Sequence, residues 1–202
     1  MSTIVLRADV VLDDPLGRAL ELLEAYPTLE ACDFSRSSSF DRGDLRLANR
    51  GGARISAAEA AAILERRSEI EGRLREIEPE ASLAGTATSI PWIPLRRLFD
   101  AFADIRGVGF SKMTKALHPK RPALIPMLDS VVQAYLAIED PEAESSGSFG
   151  ERAGALVHSY KRDLDRNHDG LREIQRDLLS RGHALTEVRI LDLLIWSALA
   201  GR

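Results

Sequence analysis

The chain has a single cysteine, no long hydrophobic run and few lysines among its basic residues. The lone Cys32 excludes an intramolecular disulfide and a zinc or iron–sulfur centre built on cysteines. No stretch approaches the ~20 apolar residues that a membrane-spanning helix needs. The first 14 residues carry Arg7 and three aspartates, which is not the pattern of a signal peptide. These absences predict a cytoplasmic protein that is not inserted in a membrane.

Neither sign of charge is in large excess, because 27 basic and 31 acidic residues give a net charge of −4. This balance excludes a protein that coats nucleic acid over its whole surface, but it leaves room for a local basic face. The 202 residues, 45% of them hydrophobic, have an ordinary globular composition and predict one domain over residues 1–202. Only four of the 27 basic residues are lysines, which suggests a GC-rich bacterial genome.

Apolar residues recur at helical spacing through most of the chain, and few segments alternate with a period of two. The pattern predicts an all-α fold of seven or eight helices. Two short apolar runs, Ile4–Leu6 and Val10–Leu12, are either short strands or an N-terminal arm packed on helices. The last helix, Glu187–Leu199, is apolar on most sides and is expected at the centre of the core.

Capping residues and prolines indicate where helices begin and end. Proline at position 15 follows an aspartate, and Ser56 precedes Glu59 at the spacing of a capping box. The helix from Ser56 is expected to continue until Pro79. Residues 35–54 are polar and are expected to form a mobile loop, and residues 139–150 an acidic one.

A Gly-Val-Gly sequence stands directly before a helix in the segment 105–118. The two glycines allow a tight turn, and the first N–H groups of the next helix have no intrahelical acceptor, so they can bind a phosphate. No acidic residue lies between Asp104 and Asp129, which predicts a local cationic face for DNA. The basic residues of this run are Arg106, Lys112, Lys115, Lys120 and Arg121. The alternative is a helical hairpin whose lysines are merely solvated.

The glycine turn and the residues after it resemble a known family. The pattern hydrophobic-x-Gly-Val-Gly resembles the helix-hairpin-helix motif of the DNA glycosylase superfamily, and RPALIPMLDSVV is similar to the matching stretch of adenine DNA glycosylases. The resemblance covers residues 95–136. It implies that Gly107, Val108 and Gly109 hold a phosphate of double-stranded DNA, often with a monovalent cation on the hairpin carbonyls. Cationic side chains expected to add DNA contacts are Lys112, Lys115, Lys120 and Arg121.

The same resemblance implies two catalytic residues. Ser111 is the second residue after Gly109, where adenine glycosylases carry a serine and bifunctional enzymes a nucleophilic lysine. Asp129 falls at the position of the catalytic aspartate, which stabilises the positive charge on the sugar as the base leaves. Lys112 is one residue out of register for the nucleophile, so the enzyme would be monofunctional. The alternatives are that Asp129 is an N-cap and Ser111 an ordinary first-turn residue.

Three function classes remain open from the sequence. The first is a DNA-backbone-binding protein of DNA repair, related to base-excision glycosylases. The second is a protein-interaction or regulatory module that kept the fold without binding DNA, which the acidic residues 139–144 favour. The third is an active monofunctional DNA glycosylase. The chain as a whole, including its closing RILDLLIW, is similar to an uncharacterised family of bacterial proteins.

Other polar residues give weaker signals. Arg46, Arg50 and Arg54 either extend a DNA-contacting surface or belong to a polar loop. His118 is expected at the surface, and the four histidines have no metal-binding spacing. Asp165, Asn167, Asp169 and Gly170 resemble the start of a calcium loop, but Arg176 stands where the bidentate glutamate belongs. The alternative for this segment is a turn in which Asp169 caps the next helix.

Overall fold

The computed structural model describes residues 3–26, 37–141 and 146–199, and these residues form an all-α fold with one short hairpin. The strands β1 (Ile4–Leu6) and β2 (Val10–Leu12) pair antiparallel, with Ile4 opposite Leu12. None of the described helices has the length and hydropathy needed to cross a membrane. The helices are α1 Pro15–Ala25, α2 Arg42–Arg50, α3 Ala57–Glu65, α4 Arg67–Arg75, α5 Trp92–Asp100, α6 Phe110–Leu117, α7 Ser130–Leu136, α8 Phe149–Arg166, α9 His168–Ser180 and α10 Glu187–Leu199.

The all-α prediction is confirmed, but the expected mobile loop at 35–54 is wrong over α2. Asp41 begins this helix, because its side chain accepts a hydrogen bond from Gly43 N at 2.6 Å and Asp44 accepts one from Asp41 N at 2.8 Å. Leu45 and Ala48 then bury one side of the helix. Residues 35 and 36 of that predicted loop, residues 142–145 of the acidic one and Cys32 lie outside the described ranges.

The predicted helix from Ser56 to Pro79 is divided into two. Ser56 and Glu59 form the expected capping box at its start. The backbone leaves the helical region at Arg66, with φ −93° and ψ 9°, and α4 begins at the next residue. This division and the unexpected α2 explain why the described chain has more helices than predicted.

The last helix lies in the core, as its composition predicts. Residues 188–195 of α10 are all buried, and the helix packs against α1, α7, α8 and α9. A second close packing joins α5 to α8. It needs a glycine, since a Cβ on Gly150 would lie 2.2 Å from the carbonyl oxygen of Arg96.

Buried polar groups fasten the N-terminal hairpin to the helices. Arg7 is 2% exposed, and its Nε donates to Asp163 at 2.8 Å while a terminal nitrogen pairs with Asp140 at 2.9 Å. Asn167 completes the edge of β1, because it accepts from Val5 N at 2.7 Å and donates to Val5 O at 2.9 Å.

The position of Asn167 is incompatible with the predicted calcium loop. Asn167 lies at the junction of α8 and α9 and is 3% exposed. Its side-chain amide makes hydrogen bonds to the backbone of β1. The carboxylate of Asp165 pairs with Lys161 within α8. The segment is therefore helical and turned toward the hairpin, so the calcium-loop interpretation is wrong.

Candidate functional site

The glycine turn between α5 and α6 has the geometry that the sequence predicts. Gly107 has φ +83°, a left-handed conformation that favours glycine, and Val108 N donates to Ile105 O at 3.0 Å to close the turn. The N-cap of α6 is Gly109, which offers no side chain to the first N–H groups of the helix. A Cβ on Gly109 would meet no atom within 4 Å, so the approach to this helix end is open.

A carboxylate already lies against one side of the turn. Glu59, from the first turn of α3, accepts a hydrogen bond from Lys112 Nζ at 2.7 Å. A Cβ on Gly107 would lie 2.3 Å from the same carboxylate oxygen. The hydrogen bond from Lys112 lowers the pKa of Glu59, so this group is ionised at neutral pH. The positive charge of Lys112 is therefore neutralised where the sequence predicts a phosphate.

Two of the predicted DNA-contacting cations are buried, and for them the prediction is wrong. Lys120 is 2% exposed and pairs with Asp44 of α2 at 2.6 Å. Arg121 is fully buried, and its guanidinium donates to Leu74 O and Ile77 O, both at 2.7 Å, at the end of α4. Both cations thus hold helices together, which a count of charges along the chain does not reveal.

Exposed cations are instead supplied by α2 and the loops near the turn. Helix α2 packs on α6. The loop that follows α2 leads to α3, whose Glu59 binds Lys112 beside the turn. Within the described ranges, none of five exposed arginines here has a carboxylate within 4.0 Å. We call them the arginine surface: Arg42, Arg46, Arg50, Arg54 and Arg106. The sequence indicated part of it in the spacing of 46, 50 and 54.

A cavity of about 320 Å³ lies between α2, α6, α7 and α10. Its apolar wall includes Val132, Leu193 and Trp196, and the Trp196 ring meets Tyr26 edge-on with centroids 5.8 Å apart. Charged side chains from α2, α6, α10 and the start of α7 also line it. An apolar cleft with a few converging polar groups is the usual form of a small-ligand site.

Asp129 lines this cavity and is also the N-cap of α7. One carboxylate oxygen, Oδ1, accepts from Val131 N and Val132 N, both at 3.1 Å. The other, Oδ2, lies 3.9 Å from Lys115 Nζ. The N-cap alternative is therefore confirmed, and one oxygen remains for a second role. Ser111 lies on α6 but does not line the cavity, so the structure does not bring the two predicted catalytic residues together there.

Asp192 is a cavity residue that the sequence analysis missed. It is 5% exposed, and Oδ2 accepts from Met127 N at 3.2 Å, whereas Oδ1 has no hydrogen-bond donor in the described part of the chain. Burial raises the pKa of this carboxyl to about 7, and the charge of Arg189 only partly opposes that effect. The signal was a lone acid within the apolar run RILDLLIW.

His118, expected at the surface, is fully buried, and its neighbour in sequence, Pro119, lines the cavity. Its Nδ1 donates to Ile125 O at 2.7 Å, which fixes the neutral tautomer. Burial, together with the smaller effect of the charge of Arg189, lowers the pKa of His118 to about 3. The ring is thus a neutral structural group.

A monovalent cation on the hairpin carbonyls stays a prediction, and two of these carbonyls already accept backbone hydrogen bonds. Ile105 O accepts from Val108 N, and Gly109 O accepts from Met113 N at 3.1 Å. The described residues contain no cluster of three or more metal-binding His, Cys, Asp or Glu side chains. We therefore derive no step through a bound cation.

No curated protein and no solved structure matches the chain, so a relation to helix-hairpin-helix glycosylases stays a prediction. A family match does exist and covers most of the chain, from residue 23 to residue 199. The prediction of an uncharacterised family is confirmed by it. The chain belongs to the Family of unknown function (DUF6308).

Proposed function

We propose that the protein binds double-stranded DNA through the phosphate backbone, as a cytoplasmic relative of the helix-hairpin-helix base-excision glycosylases. The arginine surface carries the proposal. Its five guanidinium groups are exposed and have no carboxylate partner in the described ranges, in a chain whose net charge is −4. Arg106 directly precedes Gly107 of the glycine turn, and α2, which carries three of the other arginines, packs on α6, whose N-terminus is open. Guanidinium groups and the free N–H groups of a helix N-terminus both donate hydrogen bonds to phosphate oxygens.

The arginine surface makes binding independent of base sequence. Arg42, Arg46 and Arg50 are four residues apart on α2, so they follow one face of a helix and can contact successive phosphates. Each neutralised phosphate releases counterions, and the logarithm of the binding constant falls by ~0.9 per contact for each tenfold rise in salt. Five contacts give a slope of about −4.5.

The experiment is a titration of a labelled 20-base-pair duplex at several salt concentrations. We expect binding at low salt that is similar for unrelated sequences, and a slope near the value above. Arg46→Gln with Arg50→Gln should lower the affinity about tenfold and reduce the slope by ~2, as two contacts are removed. The matched control is Arg97→Gln with Arg181→Gln, which removes one exposed arginine from α5 and one directly after α9.

Two outcomes would contradict the proposal. One is no binding at low salt, which would favour the protein-interaction or regulatory alternative. The other is an equal loss of affinity in the control pair, which would mean that only net charge matters. Circular dichroism of each variant separates lost binding from lost folding.

A second candidate function, base excision without a lysine nucleophile, is favoured by one observation. Asp129 Oδ2 is not used by the cap and lies in the cavity beside Lys115. A carboxylate placed there can stabilise a developing sugar cation while water replaces the base. Ser111 lies outside the cavity, so Asp129 is the only one of the two candidates that can act on a group bound in it.

Asp129→Asn separates the two roles of this residue. Asparagine is nearly as good an N-cap as aspartate, so the variant should keep its stability but lose the charge. Asp129→Ala should lose ~1 kcal/mol of stability as well. Each protein is incubated with duplexes that hold oxidised, deaminated or mismatched bases, and abasic sites are then cleaved with alkali. Base release by the wild type and none by Asp129→Asn is the expected result for an enzyme. No release by the wild type would contradict this second function.

A further inference from the structure

The cavity between α2, α6, α7 and α10 has its own ligand chemistry, and Arg50 is the one member of the arginine surface that lines it. We propose that it binds a small planar heterocycle that carries an N–H group and one anionic group. Three features of the cavity support this proposal. They are a buried acceptor without a donor, a lysine without a hydrogen bond, and an aromatic and aliphatic lining around a volume that fits two fused rings.

The unpaired acceptor is Asp192 Oδ1. It is buried at the cavity wall without a hydrogen-bond donor in the described residues, while Oδ2 is used by Met127 N. The Tyr160 hydroxyl contacts this carboxyl, but its one proton is donated to Val188 O at 2.7 Å, so it has none left to donate to Asp192. A buried acceptor without a donor is unfavourable. An N–H group of a bound ligand would satisfy it.

The anionic group follows from the cations that line the cavity. The side chain of Lys115 is 13% exposed, and among the described residues the one carboxylate within 4.0 Å of its ammonium group is Asp129 at 3.9 Å, which is too long for a hydrogen bond. No described residue accepts a hydrogen bond from this ammonium group. Arg50 and Arg189 also line the cavity. The ammonium group of Lys115, with the guanidinium of Arg50 on the same cavity wall, favours a negatively charged ligand.

The walls favour a flat ligand. Trp196 and Tyr26 meet edge-on, and Leu47, Val132 and Leu193 complete the apolar lining. The volume of about 320 Å³ equals that of roughly ten waters at ~30 Å³ each, which accommodates two fused rings and a short side chain.

Three commercial probes separate the features. Indole-3-acetate has both the N–H and the anion, 1-naphthaleneacetate has the anion alone, and 3-methylindole has the N–H alone. Binding to the full chain is measured by calorimetry and by ligand-observed NMR. Indole-3-acetate should bind at least tenfold more tightly than either of the others. Equal affinities for the three probes, or no binding of any, would overturn the proposal.

Two variants assign the contacts. Lys115→Gln should weaken indole-3-acetate about tenfold, whereas Lys112→Gln, one turn away on α6 and outside the cavity, should not. Asp192→Leu should bind indole-3-acetate and 1-naphthaleneacetate equally, as the acceptor is gone. An equal effect of both lysine variants, or an unchanged probe preference in a folded Asp192→Leu, would overturn the assignment. Should Asp192→Leu not fold, Asp192→Asn is compared in the same way. Its side-chain amide can turn an N–H toward the ligand, which should reduce the preference for indole-3-acetate over 1-naphthaleneacetate.

Discussion

Among single residues, Glu59 has the clearest effect on the proposed DNA contact. Its carboxylate lies against the glycine turn and neutralises Lys112. Glu59→Gln should therefore raise DNA affinity about three- to tenfold, because it frees one cation and removes one repulsive charge. Glutamine also suits the capping box, so α3 should still form. The affinity is measured with the duplex titration at low salt.

The control for Glu59 is Glu76→Gln, which removes an exposed carboxylate of equal charge that pairs with Arg73 on α4. An equal rise in both variants would show an effect of net charge only. An unchanged affinity for Glu59→Gln would mean that DNA does not approach the turn.

Charges at this site show what the sequence can and cannot predict. The glycine turn is local, and its residues correctly indicated a tight turn before α6. The roles of Lys120 and Arg121 depend on Asp44 and on the end of α4, which are distant in sequence, so no local pattern predicts their burial. Asp192 is the converse case, since a lone acid inside an apolar helical run indicates a buried polar group.

At the level of elements, the N-terminal hairpin depends on Arg7. This arginine joins the turn between β1 and β2 to α8 through Asp163, and both side chains are 1% exposed. Arg7→Met should cost about 3–5 kcal/mol in the free energy of unfolding, because it leaves a buried carboxylate without its cation. Urea unfolding followed by circular dichroism measures the loss.

Two further variants test the reason for that loss. Arg7→Met with Asp163→Leu should recover part of the stability, because no charge is then left buried. Arg73→Met breaks an exposed pair and should cost less than about 1 kcal/mol. Equal losses for Arg7→Met and Arg73→Met would show that the buried network does not anchor the hairpin.

The elements that sequence reasoning found share strong local signals. Ser56 with Glu59, Asp129 and the apolar Glu187–Leu199 each specify a helix through capping or composition, and all three form. Helix α2 was missed because its face is polar and its capping box uses aspartate at both positions. The division at Arg66 has no proline or glycine to indicate it.

For the whole molecule, two buried groups link protonation to stability in opposite directions. Asp192 has a pKa of about 7 when folded and 3.8 in its ordinary state. Between these values the folded state holds a proton that the unfolded state has lost, so stability falls as pH rises from about 4 to about 7. His118 has a pKa of about 3 when folded and 6.5 ordinarily, so its contribution is complete above pH 6.5 and is lost as pH falls toward 3.

The two opposite effects of pH on the free energy of unfolding should largely cancel in the wild type between pH 4 and pH 6.5. Variants that lack one of the two groups should reveal the effect of the other. Asp192→Asn should gain stability relative to the wild type as pH rises from 4 to 7, because the penalty of ionising a buried carboxyl is removed. His118→Asn keeps a donor for Ile125 O, and it should gain relative to the wild type as pH falls from 6.5. Each change is on the order of 4 kcal/mol at its full extent. Urea unfolding at pH 4.5, 5.5, 6.5 and 7.5 measures both. A constant offset between a variant and the wild type across this range would mean that its residue does not titrate between the folded and unfolded states.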